Sequence, residues 1–244
     1  MKVAIVTDAW RPQTNGVVQT LSTTAQTLRA SGHDVLLVEP NRFRTFPCPT
    51  YPEIRLAWFP YRRVANLLSD FAPDCIHIAT EATLGTAARS WCVRNSFAFT
   101  TPYHTQFPDY VRARAPIPLA VSYAHLRRFH SAAARTMVAT PTLQEQLEIR
   151  GFRNIVRWTR GVDVAAYPVT GPIDVIENGT TGMLDEDLRA AALAALKLDP
   201  AKCRSFALQH TWAAATRQFI GNLVPRGERV GLKPALQPDP QRSL

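Results

Sequence analysis

The sequence predicts an α/β protein built on a Rossmann-like, doubly wound parallel sheet, followed by a shorter stretch that makes a poor independent domain. Two observations carry the first part. Short, nearly all-apolar runs such as Lys2–Thr7 (KVAIVT) and Asp74–Ala79 (DCIHIA) are of the type buried on both faces of a parallel sheet. Between such runs lie stretches with helical periodicity. Strand alternating with helix over so long a stretch argues for parallel crossover units.

The elements follow in order. Lys2–Thr7 gives way to a polar loop containing Pro12, and a helix runs from Gly16 to Ser31 and stops at Gly32, a common helix terminator. Val35–Val38 is the next strand, ended by Glu39-Pro40. The proline-rich stretch Phe46–Pro60 carries one short strand around Ile54–Trp58, and Tyr61–Phe71 is helical. Asp74–Ala79 resumes the strands. Helix Thr83–Val93, strand Phe97–Thr101, helix Leu119–Ala134 and strand Met137–Ala139 continue the series. Thr142-Leu-Gln-Glu145 reads as a capping box opening a helix that ends at Gly151, and Asn154–Trp158 is the last strand of the run.

After Asp163 the pattern weakens. Two short strands, Val164–Val169 and Thr181–Leu184, precede a helix Glu186–Leu198 capped by Asp185 and a long helix Ala201–Leu223. Phe206, Trp212, Phe219 and Leu223 give the long helix an apolar stripe that needs another surface to cover it. Pro225–Leu244 lacks periodicity and is expected to be a disordered tail. The expected division is therefore residues 1–163, 164–224 and 225–244.

Composition narrows the function. With 46% apolar residues over 244 and a mean hydropathy of −0.12, the chain can build a core, which excludes wholesale disorder. It has no apolar run of about 18 residues to span a bilayer. Met1–Trp10 lacks the apolar stretch of a secretion signal, so cytoplasm is the expected compartment. Cys48, Cys75, Cys92 and Cys203 are scattered, which suggests neither a disulfide framework nor a zinc site. The net charge of +9 is uneven: residues 1–168 hold 19 basic against 11 acidic side chains, and residues 169–244 hold 9 against 8. Of the 28 basic residues 24 are arginine, which suits recognition of phosphates and carboxylates. An anionic partner follows, with nucleic acid, a membrane face and a nucleotide substrate as the alternatives.

Two loops could carry chemistry. Thr7–Gly16 joins the first strand to the first helix, at the carboxyl edge where doubly wound sheets bind ligands. Gly16 there is either an ordinary turn residue or a place where a phosphate approaches free backbone N–H groups. The dinucleotide pattern G-x-G-x-x-G is absent, which argues against an NAD enzyme. Thr101–Asp109 follows a strand directly and reaches the same edge. Its His104 either contacts a sugar or a developing charge, or packs between Tyr103 and Phe107.

His77, inside a strand beside Cys75, reads as a core histidine in preference to a metal ligand. The basic residues Arg112, Arg114, Arg127 and Arg128 surround an apolar-faced helix. They make either a face toward anionic lipid or an ordinary solvated surface. Aromatic and basic residues are not interleaved there as in a single-strand groove, which argues against nucleic acid.

The segments TDAWRPQTNGVVQTL (Thr7–Leu21), TPYHTQFPDYV (Thr101–Val111), ATPTLQEQL (Ala139–Leu147) and WTRGVD (Trp158–Asp163) together resemble family-4 retaining glycosyltransferases of the two-domain GT-B fold. The likeness is strongest to the branch that glycosylates lipids from GDP-mannose or UDP-sugars. The resemblance implies that Gly16 backs the donor phosphates or the acceptor and that His104 contacts the transferred sugar. Asp8, Asn15 and Asp109 are then possible acceptor contacts. It implies a nucleotide-diphosphate sugar as donor, a lipid or glycan acceptor, no metal or other cofactor, and a peripheral place on the inner membrane face.

Val164–Leu196 and Cys203–Leu223 resemble only the far end of the family's second domain. In the family, WTRGVD is followed by most of that domain, whereas here Asp163 runs straight into Val164-Ala-Ala-Tyr-Pro. The missing portion would supply the basic residues and the Glu-x7-Glu motif that hold the donor. The expectation is an internally shortened transferase with impaired activity, or a non-catalytic module that binds a membrane or partner through its acceptor-side domain.

Overall fold

In a computed structural model of the protein, the residues described are 1–13, 15–48, 51–104, 118–159, 177–183 and 188–228. Six parallel strands form the central sheet: β1 (Lys2–Val6), β2 (Asp34–Val38), β5 (Cys75–Ile78), β6 (Phe99–Tyr103), β7 (Arg135–Val138) and β8 (Ile155–Arg157). Their order across the sheet is β2-β1-β5-β6-β7-β8. The chain thus winds outward first to β2 and then, from β5, the other way. The parallel Rossmann-like sheet expected from the sequence is present.

Helices α1 (Gly16–Ala30), α2 (Tyr61–Phe71), α3 (Thr83–Arg94), α4 (Leu119–His130) and α5 (Pro141–Ile149) cross between strands. Alternation along each strand sends side chains to opposite faces. Ala4, Val6, Ile76 and Ile78 pack under α2 and α3 with Val64, Leu68 and Leu84. Val3, Ile5 and Cys75 face the other way, toward Leu21, Ala25 and Leu28 of α1. Tyr103, Val138, Leu126, Leu147 and Phe152 form a smaller cluster between β6, β7 and helices α4 and α5.

On the α1 face that helix alone does not cover the whole cluster, and the C-terminal helix α8 (Trp212–Asn222) completes it. Phe219 is fully buried there, beside Trp158 and Met137. Polar contacts fix its register. Trp158 Nε1 donates to the Ala215 carbonyl (3.2 Å), Asn222 donates to the Arg157 carbonyl (2.6 Å), and Arg135 donates to the Gly221 carbonyl (2.9 Å). Thr159 donates through both its N–H and its hydroxyl to Gln218 Oε1. Of the apolar stripe read from the sequence, Phe219 and Leu223 find their covering surface in the first sheet, whereas Phe206 packs on His210 (4.4 Å).

Four local differences have simple causes. The long terminal helix is two, α7 (Pro200–Gln209) and α8, because Thr211 turns to an extended conformation and caps α8 by accepting from Ala214 N–H. The cap of α5 is Thr140, not Thr142: it accepts from Leu143 N–H and Pro141 takes the first helical position, where its missing N–H is harmless. Helix α4 stops at His130 because Ala134 N–H bonds to the Phe99 carbonyl and begins β7. The proline-rich stretch holds two strands, β3 (Thr45–Cys48) and β4 (Tyr51–Ala57), paired antiparallel as a separate hairpin. The remaining helix is α6 (Leu188–Ala195). The expected strand Val164–Val169 and the tail beyond Glu228 lie outside the described residues, as does Asp185.

Candidate active site

In a doubly wound sheet the ligand crevice lies at the carboxyl ends of the strands, where the winding reverses. Here that point is between β1 and β5. The residues that follow β1, β5 and β6 are Thr7–Asp8, Ala79–Glu81 and His104, so the sheet brings three loops to one edge.

Asp8 organises this edge. It is 2% exposed, and its carboxylate accepts four hydrogen bonds: from the hydroxyls of Thr80 (2.8 Å) and Thr83 (3.1 Å) and from the N–H groups of Leu84 (2.8 Å) and Gly85 (3.2 Å). Helix α3 has Ala82 at its cap position, with no side chain to accept its first N–H groups. Asp8 supplies that acceptor from a loop far away in sequence, and the helix dipole favours the negative charge. Burial raises the Asp8 pKa from the usual carboxylate value, while all four hydrogen bonds favour the ionised form. The structure therefore gives Asp8 a structural duty in place of the expected acceptor contact: both oxygens are committed to α3. Gly85 belongs to the same device, since a Cβ there would lie 1.7 Å from the Thr80 carbonyl oxygen.

Asn15 caps α1. Its Oδ1 accepts from Val17 and Val18 N–H (3.1 and 3.0 Å), and its amide donates to Gln13 Oε1 (3.1 Å). Gly16 follows, exposed at the first helical position. Two of the N–H groups that a bound phosphate would use are thus already held by Asn15. A ligand at this helix start meets the Asn15 amide and the open Gly16 backbone together.

Strand β6 runs through Pro102 to Tyr103, so His104 stands at its very end. It is half-buried, and its ring lies 5.6 Å from that of Trp158, tilted by 55°. Trp158 packs in turn on Phe219 (4.8 Å) and against the edge of His77 (5.7 Å). Helix α8 therefore supports, through Trp158, the wall on which His104 rests. Sequence reading missed Trp158 as a site residue, although the motif WTRGVD contained it.

His77 is a core histidine, as expected. It is fully buried, its Nδ1 lies 2.9 Å from Thr100 Oγ1, and burial pushes its pKa down to about 3. The remaining expected site residues separate. Asp109, Arg112 and Arg114 lie outside the described residues. Arg127 and Arg128 are exposed at the end of α4, which leads into the start of β7. That is the edge of the sheet opposite Asn15 and His104. Arg127 also donates to the Arg150 carbonyl at the end of α5 (3.0 Å).

The sequence pattern of Glycosyltransferase Family 4 matches residues 14–166. The chain belongs to glycosyltransferase family 4. Its family segment begins just before Asn15 and includes Gly16, His104 and Trp158, whereas α8 lies beyond it.

Similar proteins are named GDP-mannose-dependent alpha-mannosyltransferase. The one from Mycobacterium tuberculosis (strain CDC 1551 / Oshkosh) is 26% identical, with 72% of this chain and 51% of that protein covered. The one from Mycolicibacterium smegmatis is 29% identical, covering 68% and 49%. An alpha-monoglucosyldiacylglycerol synthase of Streptococcus pneumoniae is 26% identical over 46% of this chain and 28% of its own length. This family 4 chain spans about half the length of the mannosyltransferases it matches. Among the described residues, no helix is long and apolar enough to cross a membrane.

Proposed function

We propose that this chain is the acceptor-side half of a hexosyltransferase that takes its sugar from a nucleotide-diphosphate donor and passes it to a lipid acceptor. The observation that carries the reading is the convergence of the α1 start and His104 on one sheet edge. The strands that carry them, β1 and β6, are two places apart, or on the order of 10 Å. In this reading Asn15 and Gly16 hold an acceptor hydroxyl or phosphate, and His104, stiffened by Trp158, meets the transferred sugar. No metal or other cofactor is part of this reading.

The donor side is where this chain departs from its family. Charge builds on the leaving diphosphate during transfer, and preorganised cationic donors stabilise it. Residues 169–244 carry 9 basic against 8 acidic side chains, and the segment that would bear the donor motif is absent after Asp163. Losing such donors removes several kcal/mol of transition-state stabilisation, or roughly 10³-fold or more in rate. Transfer of radiolabelled mannose from GDP-mannose, or glucose from UDP-glucose, to extracted membrane lipid tests this. The purified chain is expected to run at least that far below a full-length family member. Transfer at a comparable rate contradicts the impairment.

Helix α8 completes the sheet's cover with residues from the far end of the chain. That favours a second use: an acceptor-side domain that stays folded and binds its lipid without turnover.

A further inference from the structure

Trp58 and Phe59 are adjacent, large and apolar, yet 54% and 88% exposed. They stand where hairpin strand β4 ends and α2 begins. Phe59 has φ of 42°, a left-handed conformation that bulky side chains rarely adopt and that carries backbone strain. Trp58 leans on Phe46 (4.7 Å between ring centroids) and on Phe59 (5.7 Å). Core packing explains neither the exposure nor the strain.

Guanidinium groups flank the pair. Trp58, Phe59, Pro60 and Phe43 line a groove with Arg44 and Arg63, and Arg63 also sits 5.5 Å over the Phe43 ring. Residues 40–63 carry five arginines against one acidic residue, Glu53. Exposed aromatics ringed by arginine fit the boundary of an anionic bilayer, where the rings enter the headgroup region and the cations meet phosphate. The two rings stand together at one corner. A single-strand nucleic-acid groove would need stacking platforms spaced along a track.

The corner is also joined to the candidate site. Ala57 N–H, one residue before Trp58, donates to Thr83 Oγ1 (2.9 Å), and that hydroxyl donates to Asp8. We propose that the Trp58–Phe59 corner, with Arg44 and Arg63, is the surface that seats this protein on an anionic lipid bilayer, at the same sheet edge as Asn15 and His104. This deepens the reading of a lipid acceptor and names a different surface from the Arg127–Arg128 end of α4, which lies at the opposite edge.

Flotation of the full chain with phosphatidylcholine vesicles, with and without phosphatidylglycerol, tests the proposal. Binding is expected only to the anionic vesicles and should weaken as salt is raised. Trp58→Ser with Phe59→Asn should lower it roughly tenfold, and Arg44→Gln with Arg63→Gln should weaken both the binding and its salt dependence. Arg127→Gln with Arg128→Gln should leave binding unchanged. Because Trp58 and Phe59 are exposed, the thermal midpoint should hold in the first pair, and the arginine pair gives a second readout if it does not.

Absence of binding to anionic vesicles, equal loss from the Arg127/Arg128 pair, or tighter binding to a single-stranded oligonucleotide overturns the proposal. The vesicles contain no sugar donor. A failure here therefore leaves the transferase reading standing, and a failure to transfer sugar leaves this one standing.

Discussion

Asp8→Ala is expected to destabilise the fold by about 3–5 kcal/mol, read as a lowered urea midpoint. The carboxylate receives two hydroxyls and two backbone N–H groups in a site closed to water. Alanine leaves all four donors facing a cavity, and each buried unsatisfied donor carries its own desolvation penalty. The wild-type burial of Asp8, which raises its pKa, offsets part of the gain, so the range is below the sum of four separate bonds. Asp8→Asn keeps the shape and one acceptor oxygen and should fall between. Hydrogen exchange should accelerate at both Leu84 and Gly85 in Asp8→Ala and at only one of them in Asp8→Asn, because the two N–H groups use different carboxylate oxygens. A change below about 1 kcal/mol in Asp8→Ala would show that α3 does not depend on this carboxylate.

Phe219→Ala should cost about 3–5 kcal/mol by the usual scale for a buried phenylalanine, and it should also loosen α8 from the sheet. Phe219 is fully buried and lies 4.8 Å from both His77 and Trp158. His77 gives a separate readout. Burial holds its pKa at about 3, well under the ordinary histidine value of 6.5. The unfolded chain therefore takes up a proton that the folded chain refuses as pH falls from 6.5 toward 3. The stability contributed by keeping His77 neutral is complete above pH 6.5 and is lost through that window. In the wild type the His77 imidazole signals should stay flat between about pH 5 and 8. In Phe219→Ala water reaches the ring and a titration should appear there. An unchanged His77 in a destabilised variant would mean that α8 stays seated without Phe219.

The parallel sheet was legible because its signals are local. Apolar runs such as KVAIVT and the stops at Gly32 and Gly151 place strands and helices without reference to anything distant. What escaped depends on contacts far apart in sequence. Nothing around Ala82 announces that its helix is capped by Asp8, more than 70 residues earlier. Asp8 accordingly reads as a polar loop residue free for ligand. Strand β3 was hidden by Pro47, a residue that argues against a strand, and it forms because the hairpin is separate from the main sheet and tolerates a missing donor.

His104 and Asn15 were visible from their loops, since each directly follows or precedes a clear element. Trp158 was not, because its importance comes from packing between His104 and a helix more than 50 residues later. The aromatic corner at Trp58 was invisible for a related reason. Sequence shows two aromatic residues, and only the fold shows that they are left outside the core.

The acceptor-side reading is tested most directly by amide chemical-shift mapping of the full, isotope-labelled chain. The titrant is a short-chain hexosyl diacylglycerol, without nucleotide sugar. Shifts are expected to concentrate at Asn15–Val18, Tyr103–His104 and the Trp158 indole, on the edge where β1 and β6 end. Shifts confined to the opposite edge, around Lys2, Asp74 and Arg135, or no saturable shifts at all, would contradict an acceptor site between Asn15 and His104.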